Sequence, residues 1–229
     1  MKRRALAIGL AAAAVLGTVT GLFQPRRRPR RAPRMDVRTP EGGHEAAIAA
    51  GVRAAEPGAS DALVAAVLAW ADSESGVGRA MVGDPRWATL RPEAYRRYVL
   101  EEPAYASNPW RDEPAAWKSY GYFHQLAAHW LRQAIELGIA AVDAHPQILA
   151  DPAVSIALGV PMVLGYLQGE AEHGWPEAWI RARLKAKGCG ADGSGCPAAE
   201  VAAVRARARS RLDQWGLLVN GPDLQELSA

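Results

Sequence analysis

Glu74 and the small residues after it form the first segment able to do chemistry. Glu74 follows an apolar run over residues 62–70, and Ser75, Gly76 and Gly78 come after it. An apolar neighbourhood raises the pKa of a carboxyl group, and small neighbours leave room for a bulky polymer. A carboxyl group that keeps its proton can deliver it to the leaving oxygen of a glycosidic bond. The segment therefore predicts a general acid, and a capping or salt-bridged glutamate is the structural alternative.

A second segment over residues 119–125 carries hydroxyl, imidazole and amide groups around a glycine. Its sequence is Ser119, Tyr120, Gly121, Tyr122, Phe123, His124, Gln125. Glycine lets a backbone pass close to a ligand, and the polar side chains can form hydrogen bonds. The structural alternative is a turn leading into the helix that holds Trp130.

A third segment, from Leu149 through Asp151, Pro152 and Ser155 to Gly159, completes a resemblance to a known family. In this order the three segments resemble motifs of the soluble lytic transglycosylases and goose-type lysozymes, within the lysozyme-like superfamily. The resemblance covers about residues 60 to 168. In those families the first motif holds the catalytic glutamate and the second lines the sugar cleft.

The resemblance implies that the chain has a mainly α, lysozyme-like fold. It also implies that the chain cleaves the glycan strands of peptidoglycan without a cofactor or a metal. It assigns Glu74 as the catalytic acid/base. It assigns substrate binding to Ser119, Tyr120, Gly121, Tyr122, His124 and Gln125.

The chain also departs from the family pattern at three places. His124 stands where the family usually has glutamine, and Ser155 stands where it usually has asparagine. No Tyr-Asn-x-Gly motif follows Tyr166. Because of these departures, a module that binds peptidoglycan without cleaving it is the alternative function.

The reaction type depends on whether a second carboxylate assists Glu74. The lytic transglycosylases use one glutamate as acid and then base while the muramyl 6-hydroxyl attacks, and this is the reaction we expect. A lysozyme that inverts its substrate needs a second carboxylate with room for a water. Asp72 is two residues from Glu74 and would point to another face of a helix. The remaining candidates are Asp84, Glu101, Glu102 and Asp112.

Composition and capping residues predict helices for the rest of the chain. Of the 229 residues, 49% are hydrophobic, which suffices for a core, and the scarcity of β-branched residues favours helices. Ser60 and Asp61 are N-cap residues for the helix that leads to Glu74, and Asp151 is another. Further helices are predicted over residues 45–55, 92–100, 125–137 (ended by Gly138), 152–167 (kinked at Pro161), 176–187 (ended by Gly188) and 198–215.

The first 43 residues look unlike the rest. Residues 5–23 carry no charge and are long enough to cross most of a bilayer's hydrocarbon core. We expect an uncleaved transmembrane anchor, with a cleaved signal peptide as the alternative. Residues 24–43 are rich in proline and arginine and predict an extended linker, so the catalytic domain is expected over residues 44–229.

The formal net charge of +3 comes from a cluster in that linker. Without the cluster the body is slightly acidic, which excludes the basic face of a nucleic-acid reader. The cluster itself predicts contact with anionic lipid or DNA, or a stop-transfer flank. It consists of Arg26, Arg27, Arg28, Arg30, Arg31 and Arg34.

The same cluster affects the expected location. A wall-cleaving enzyme requires the domain to face the periplasm or envelope, yet a basic flank after the span favours the cytoplasmic side. A phage particle or a dedicated envelope machine that delivers the domain would resolve the conflict.

Cys189 and Cys196 bracket a glycine-rich stretch that lets the chain turn back on itself. We expect a disulfide in an oxidising compartment, with two free thiols as the alternative. A zinc site is disfavoured because no further cysteine or histidine pair completes a four-ligand set.

Overall fold

The computed structural model describes residues 40–83, 109–110 and 118–228, and this part of the chain is mainly helical. The predicted α class is therefore confirmed. Six α-helices lie in the described part, together with one short hairpin and three 3₁₀ helices at Pro146–Ala150, Ala171–His173 and Leu224–Ser228. The main elements are α1 (His44–Ala55), α2 (Asp61–Ser75), β1 (Ser119–Tyr120), β2 (Gln125–Leu126), α3 (Ala127–Glu136), α4 (Pro152–Gln168), α5 (Glu177–Ala186) and α6 (Ala198–Gln214).

Side-chain caps fix the starts of two helices where the sequence predicts them. The hydroxyl of Ser60 accepts a hydrogen bond from the backbone N–H of Leu63 at 3.1 Å. Oδ1 of Asp151 accepts from the N–H of Ala153 at 2.9 Å. Each cap satisfies a donor that the first turn leaves without a partner in the helix. Ser60 and Asp151 are confirmed as N-caps, whereas Asp61 is the first residue of α2.

The predicted helix from residue 125 begins two residues too early. Gln125 and Leu126 form strand β2, which pairs antiparallel with β1, so that Tyr120 faces Gln125 and Ser119 faces Leu126. The helix starts only at Ala127. The four residues between the strands close a hairpin, and ladder hydrogen bonds occupy the backbone groups that a helical turn would use. A strand this short has too few residues to be recognised from alternation.

Other helix predictions agree with the structure at their ends. Gly138 has a φ of 71° directly after the C-cap of α3, as expected of a helix-ending glycine. Helix α4 runs continuously through Pro161. The helix predicted over residues 92–100 lies outside the described residues.

The chain divides into two compact units. The first unit contains the described residues up to Ala47 together with Glu74–Gly159, and the second contains Ile48–Ser73 with the chain after Val160. In the first unit, Tyr122 and Leu131 are fully buried. In the second, Trp70 and Trp179 meet edge to face at 5.6 Å between ring centroids. Each unit thus has its own apolar interior.

None of the helices in the described part of the chain is long and apolar enough to cross a membrane. The predicted anchor over residues 5–23 and the arginine cluster of residues 26–34 lie outside that part.

Candidate functional site

Glu74 is the next-to-last residue of α2, and its side chain is only 10% exposed. The chain then turns sharply, because Gly76, Val77 and Gly78 have φ values of 61°, 50° and 86°. Two features of the structure require a glycine at position 78. Its φ is in the left-handed region, and a Cβ there would lie 2.9 Å from the imidazole of His44. The turn sends the chain from Glu74 directly into the segment that pairs with the hairpin.

Backbone pairing joins that segment to β1. The N–H of Gly83 donates to the carbonyl oxygen of Ser119 at 2.8 Å, and the N–H of Gly121 donates to that of Met81 at 2.9 Å. Val82 forms an antiparallel bridge with Tyr120. A side chain at position 83 would collide with the hydroxyl of Ser119. The residues after Glu74 and the second predicted motif therefore form one small sheet.

The side chain of His124, in the turn between β1 and β2, lies next to that of Glu74. Its Nδ1 is 3.8 Å from Oε2 of Glu74, and its side chain is 20% exposed. Its Nε2 is 2.8 Å from the carbonyl oxygen of Ala80. A carbonyl oxygen only accepts hydrogen bonds, so Nε2 carries the hydrogen. The imidazole therefore presents Nδ1 to Glu74.

The third predicted motif packs directly behind the hairpin. The hydroxyl of Ser155 accepts a hydrogen bond from the N–H of Tyr122 at 2.8 Å. A Cβ at Gly121 would collide with that hydroxyl, and a Cβ at Gly159 would collide with the ring of Phe123. The glycines allow the helix and the hairpin to approach closely. The hairpin thus contacts both of the other motifs that the sequence singled out, and all three lie within the first unit.

The predicted substrate-binding residues divide into two groups. Ser119 and His124 are partly exposed. Tyr120, Tyr122 and Gln125 keep at most 3% of their surface exposed, so their side chains pack inside the unit and cannot reach an external polymer in this conformation. Gly121 is buried with them. Burial raises the pKa of Tyr120 to about 12. Among the described residues, no group forms a hydrogen bond with the buried side-chain amide of Gln125.

His44 also contacts the candidate site, although no motif in the sequence includes it. Its Nδ1 is 2.6 Å from the hydroxyl of Tyr122, and the two rings meet edge to face. Burial, and secondarily the charge of Asp151, raises the pKa of Tyr122 above its ordinary value, so the hydroxyl keeps its proton. That hydroxyl can donate to His44. No local pattern marks His44, because its partner is 78 residues further along the chain.

Asp72 has a different role from Glu74, as its position two residues earlier predicts. Its Oδ2 accepts from the guanidinium of Arg211 and, at 3.1 Å, from the indole N–H of Trp215. All three residues belong to the second unit. Asp72 therefore binds side chains of α6 and of the residue that follows it. The other candidates for a second catalytic carboxylate lie outside the described residues; they are Asp84, Glu101, Glu102 and Asp112.

Cys189 and Cys196 are joined by a disulfide with a Cα–Cα distance of 4.8 Å. Cys189 is fully buried and packs with Leu184 and Val204. The crosslink closes the loop between α5 and α6.

Comparison with protein-family models, with curated proteins and with solved structures gives no match for this chain.

Proposed function

We propose that this chain cleaves the glycan strands of peptidoglycan as a lytic transglycosylase, with Glu74 as acid and base. The observation that supports this most is the meeting of three motifs. Glu74 and His124 are 50 residues apart in the chain, yet their side-chain atoms lie 3.8 Å apart. Ser155 is hydrogen-bonded to the same hairpin. If the resemblance of the three motifs were a coincidence, nothing would require them to lie together in the fold.

The environment of Glu74 suits an acid. Its side chain is one-tenth exposed, and removal from water disfavours the ionised form of a carboxyl group. It also stands at the C-terminal end of α2, where the negative end of the helix dipole opposes a second negative charge. Its burial and its place at the helix end support Glu74 as the acid that glycosidic cleavage requires.

In the proposed reaction Glu74 first donates its proton to the glycosidic oxygen as the bond to C1 of the muramyl sugar breaks. The resulting carboxylate then removes the proton of the muramyl 6-hydroxyl, whose oxygen bonds to C1 and closes the anhydro ring. Glu74 regains its proton, so the reaction leaves the enzyme unchanged. One carboxyl group performs both steps.

His124 is proposed as a positioning residue for Glu74. The hydrogen bond from Nε2 to Ala80 fixes the ring at 2.8 Å, and Nδ1 is then directed to the carboxyl group. A protonated imidazole attracts the Glu74 carboxylate, whereas a neutral imidazole does not. The histidine is thus proposed to supply a charge where the family's glutamine supplies a neutral amide.

A hydrolase acting on the same bond is the second candidate. It would need a further carboxylate to activate water, and the engagement of Asp72 with Arg211 and Trp215 argues against that residue. The two reactions differ in their products. A transglycosylase leaves anhydro ends, whereas a hydrolase leaves reducing ends.

The test is digestion of purified sacculi by the full-length chain, with mass spectrometry of the released muropeptides. We expect anhydro ends from the natural chain and no products from Glu74→Gln. The matched control is Glu136→Gln, because Glu136 is an exposed glutamate on α3 whose partner is Arg132 four residues earlier. That control should digest like the natural chain.

Circular dichroism of all three proteins shows whether they are folded, so that a loss of products can be assigned to lost activity and not to lost folding. Reducing ends would replace the transglycosylase with the hydrolase. Digestion by Glu74→Gln would remove Glu74 from its role. If the natural chain binds sacculi but releases nothing, the proposed activity is wrong and a wall-binding module remains.

A further inference from the structure

The second unit contains a cavity of about 270 Å³ with a strongly cationic lining. Four basic side chains reach it, Arg183, Lys187, Arg207 and Arg211. Its described lining contains no carboxylate. Like charges gathered in one concave site repel one another, and low-dielectric walls strengthen their field. An anion placed among them would relieve this repulsion.

Helix geometry explains why these four side chains converge. Arg183 and Lys187 are four residues apart at the C-terminal end of α5, and Arg207 and Arg211 are four residues apart on α6. Residues with this spacing project from the same side of a helix. Two neighbouring helices therefore each present a pair of cations to the same space.

Two of the four cations are held in place by other residues. The guanidinium carbon of Arg183 lies 4.6 Å from the centre of the Trp70 ring and 5.6 Å from that of Trp179. The residue is only 7% exposed. Arg211 is held by Asp72, which neutralises part of its charge. Arg183 and Arg211 are thus positioned before any ligand arrives, which lowers the entropic cost of binding.

We propose that this cavity binds a phosphate group. A guanidinium presents a planar fork of donors that pairs with two oxygens of a phosphate, and three of the four basic residues are arginines. Ser210 and Gln214 add a hydroxyl and an amide to the lining. The volume of about 270 Å³ exceeds that of a bare phosphate ion, so the cavity has room for a small phosphate ester or for the phosphate of a larger chain. This site is independent of the proposed glycan cleavage, since every residue in it belongs to the second unit.

The experiment is calorimetric titration of the full-length chain with inorganic phosphate at constant ionic strength. The principal variant is Arg207→Gln, because Arg207 is exposed and lines the cavity. Arg209→Gln is the matched control, since Arg209 is an exposed arginine on the same helix outside the cavity lining. Lys187→Gln removes a cation contributed by the other helix.

Loss of one charged hydrogen bond weakens binding by roughly 10-fold or more. We expect that loss for Arg207→Gln and for Lys187→Gln and no change for Arg209→Gln. Absence of phosphate binding by the natural chain would overturn the proposal, and so would equal weakening in all three variants. Succinate that binds as tightly as phosphate would also overturn it, because the site would then select charge alone.

Two further ligands identify the source of the phosphate. Glycerol 3-phosphate is a monoester, and glycerophosphorylglycerol is a diester with the chemistry of a lipid headgroup. Tighter binding of the monoester supports the proposal with a free phosphate ester as ligand. Tighter binding of the diester supports it with a headgroup or polymer as ligand.

Discussion

The hydroxyl of Ser155 accepts a hydrogen bond from the backbone N–H of Tyr122 at 2.8 Å, and Ser155 is fully buried. This bond joins α4 to the loop of the hairpin that carries His124. A serine is short enough to make it while Gly121 packs against the same side chain. Ser155 therefore gives the backbone N–H of Tyr122 a hydrogen-bond acceptor inside the unit.

Ser155→Ala should destabilise the fold. The N–H of Tyr122 would be left buried without its acceptor, which costs about 1–3 kcal/mol. Ser210→Ala removes a hydroxyl from an exposed serine on α6 and should change stability by less than about 0.5 kcal/mol. Urea unfolding followed by circular dichroism measures both. Equal midpoints for the two variants would contradict the role of the bond.

Gly121→Ala and Gly138→Ala should differ although both glycines are left-handed, with φ values of 79° and 71°. Any alanine in that region costs about 1–2 kcal/mol. At position 138 nothing lies within 4 Å of the added carbon, whereas at 121 it would collide with Ser155 and lie 2.6 Å from the carbonyl oxygen of Leu149. Gly121→Ala should lose about 1–3 kcal/mol more from overpacking. Thermal unfolding of the two variants gives the difference directly, and similar melting temperatures would refute it.

The helices were predictable because their signals are local. Ser60 and Asp151 are caps whose acceptors lie two or three residues from their donors, and such pairs can be read along the chain. The boundary at residue 125 failed because pairing with Tyr120 decides it. A two-residue strand is defined by its partner, which no local pattern can indicate.

The candidate site was predictable only where a family resemblance marked it. Glu74 and Ser155 were found through motifs, but the pairing of His44 with Tyr122 joins residues 78 positions apart. The cationic cavity was missed for a related reason. Only the packing of α5 beside α6 brings Arg207 and Arg211 into one cavity lining with Arg183.

Tyr120 should make stability fall at alkaline pH. Burial raises its pKa to about 12, whereas an unfolded tyrosine titrates near about 10. Between these values the unfolded chain loses the proton while the folded chain keeps it, so stability falls as pH rises through this window. For one group the slope is at most about 1.4 kcal/mol per pH unit.

The variant Tyr120→Phe isolates this contribution. Urea unfolding at pH 9, 10, 11 and 12 should show a shallower decline for the variant than for the natural chain. Comparing the slopes of unfolding free energy against pH excludes any pH-independent loss of stability that the missing hydroxyl causes. Parallel curves would mean that Tyr120 does not titrate as its burial requires.

The disulfide should contribute measurably although its loop is short. Cys189 and Cys196 are seven positions apart, and closing such a loop lowers the entropy of the unfolded chain by an amount worth about 2–3 kcal/mol. The double variant Cys189→Ala, Cys196→Ala should lose that stability in denaturant unfolding. Dithiothreitol should destabilise the natural chain by a similar amount and leave the double variant unchanged. A reductant effect on the double variant would show that the loss has another origin.

Val77 should be a position where stability and activity trade against each other. Its φ of 50° places a β-branched residue in the left-handed region, which costs about 1–2 kcal/mol. Asparagine tolerates that conformation, so Val77→Asn should raise the free energy of unfolding by about 0.5–1 kcal/mol. The same change at Val82, which is 42% exposed and bridged to Tyr120 in extended backbone, should lower it, because asparagine is disfavoured in strands.

The activity of Val77→Asn then tests what the strained turn does. Val77 lies between Glu74 and the sheet that carries His124, and strained backbone persists where the surroundings hold it in place for function. Under the proposed function a relaxed turn should loosen the approach of Glu74 to His124, so that the more stable variant releases muropeptides more slowly. A variant that is more stable and equally active would mean that the strain at Val77 serves packing alone.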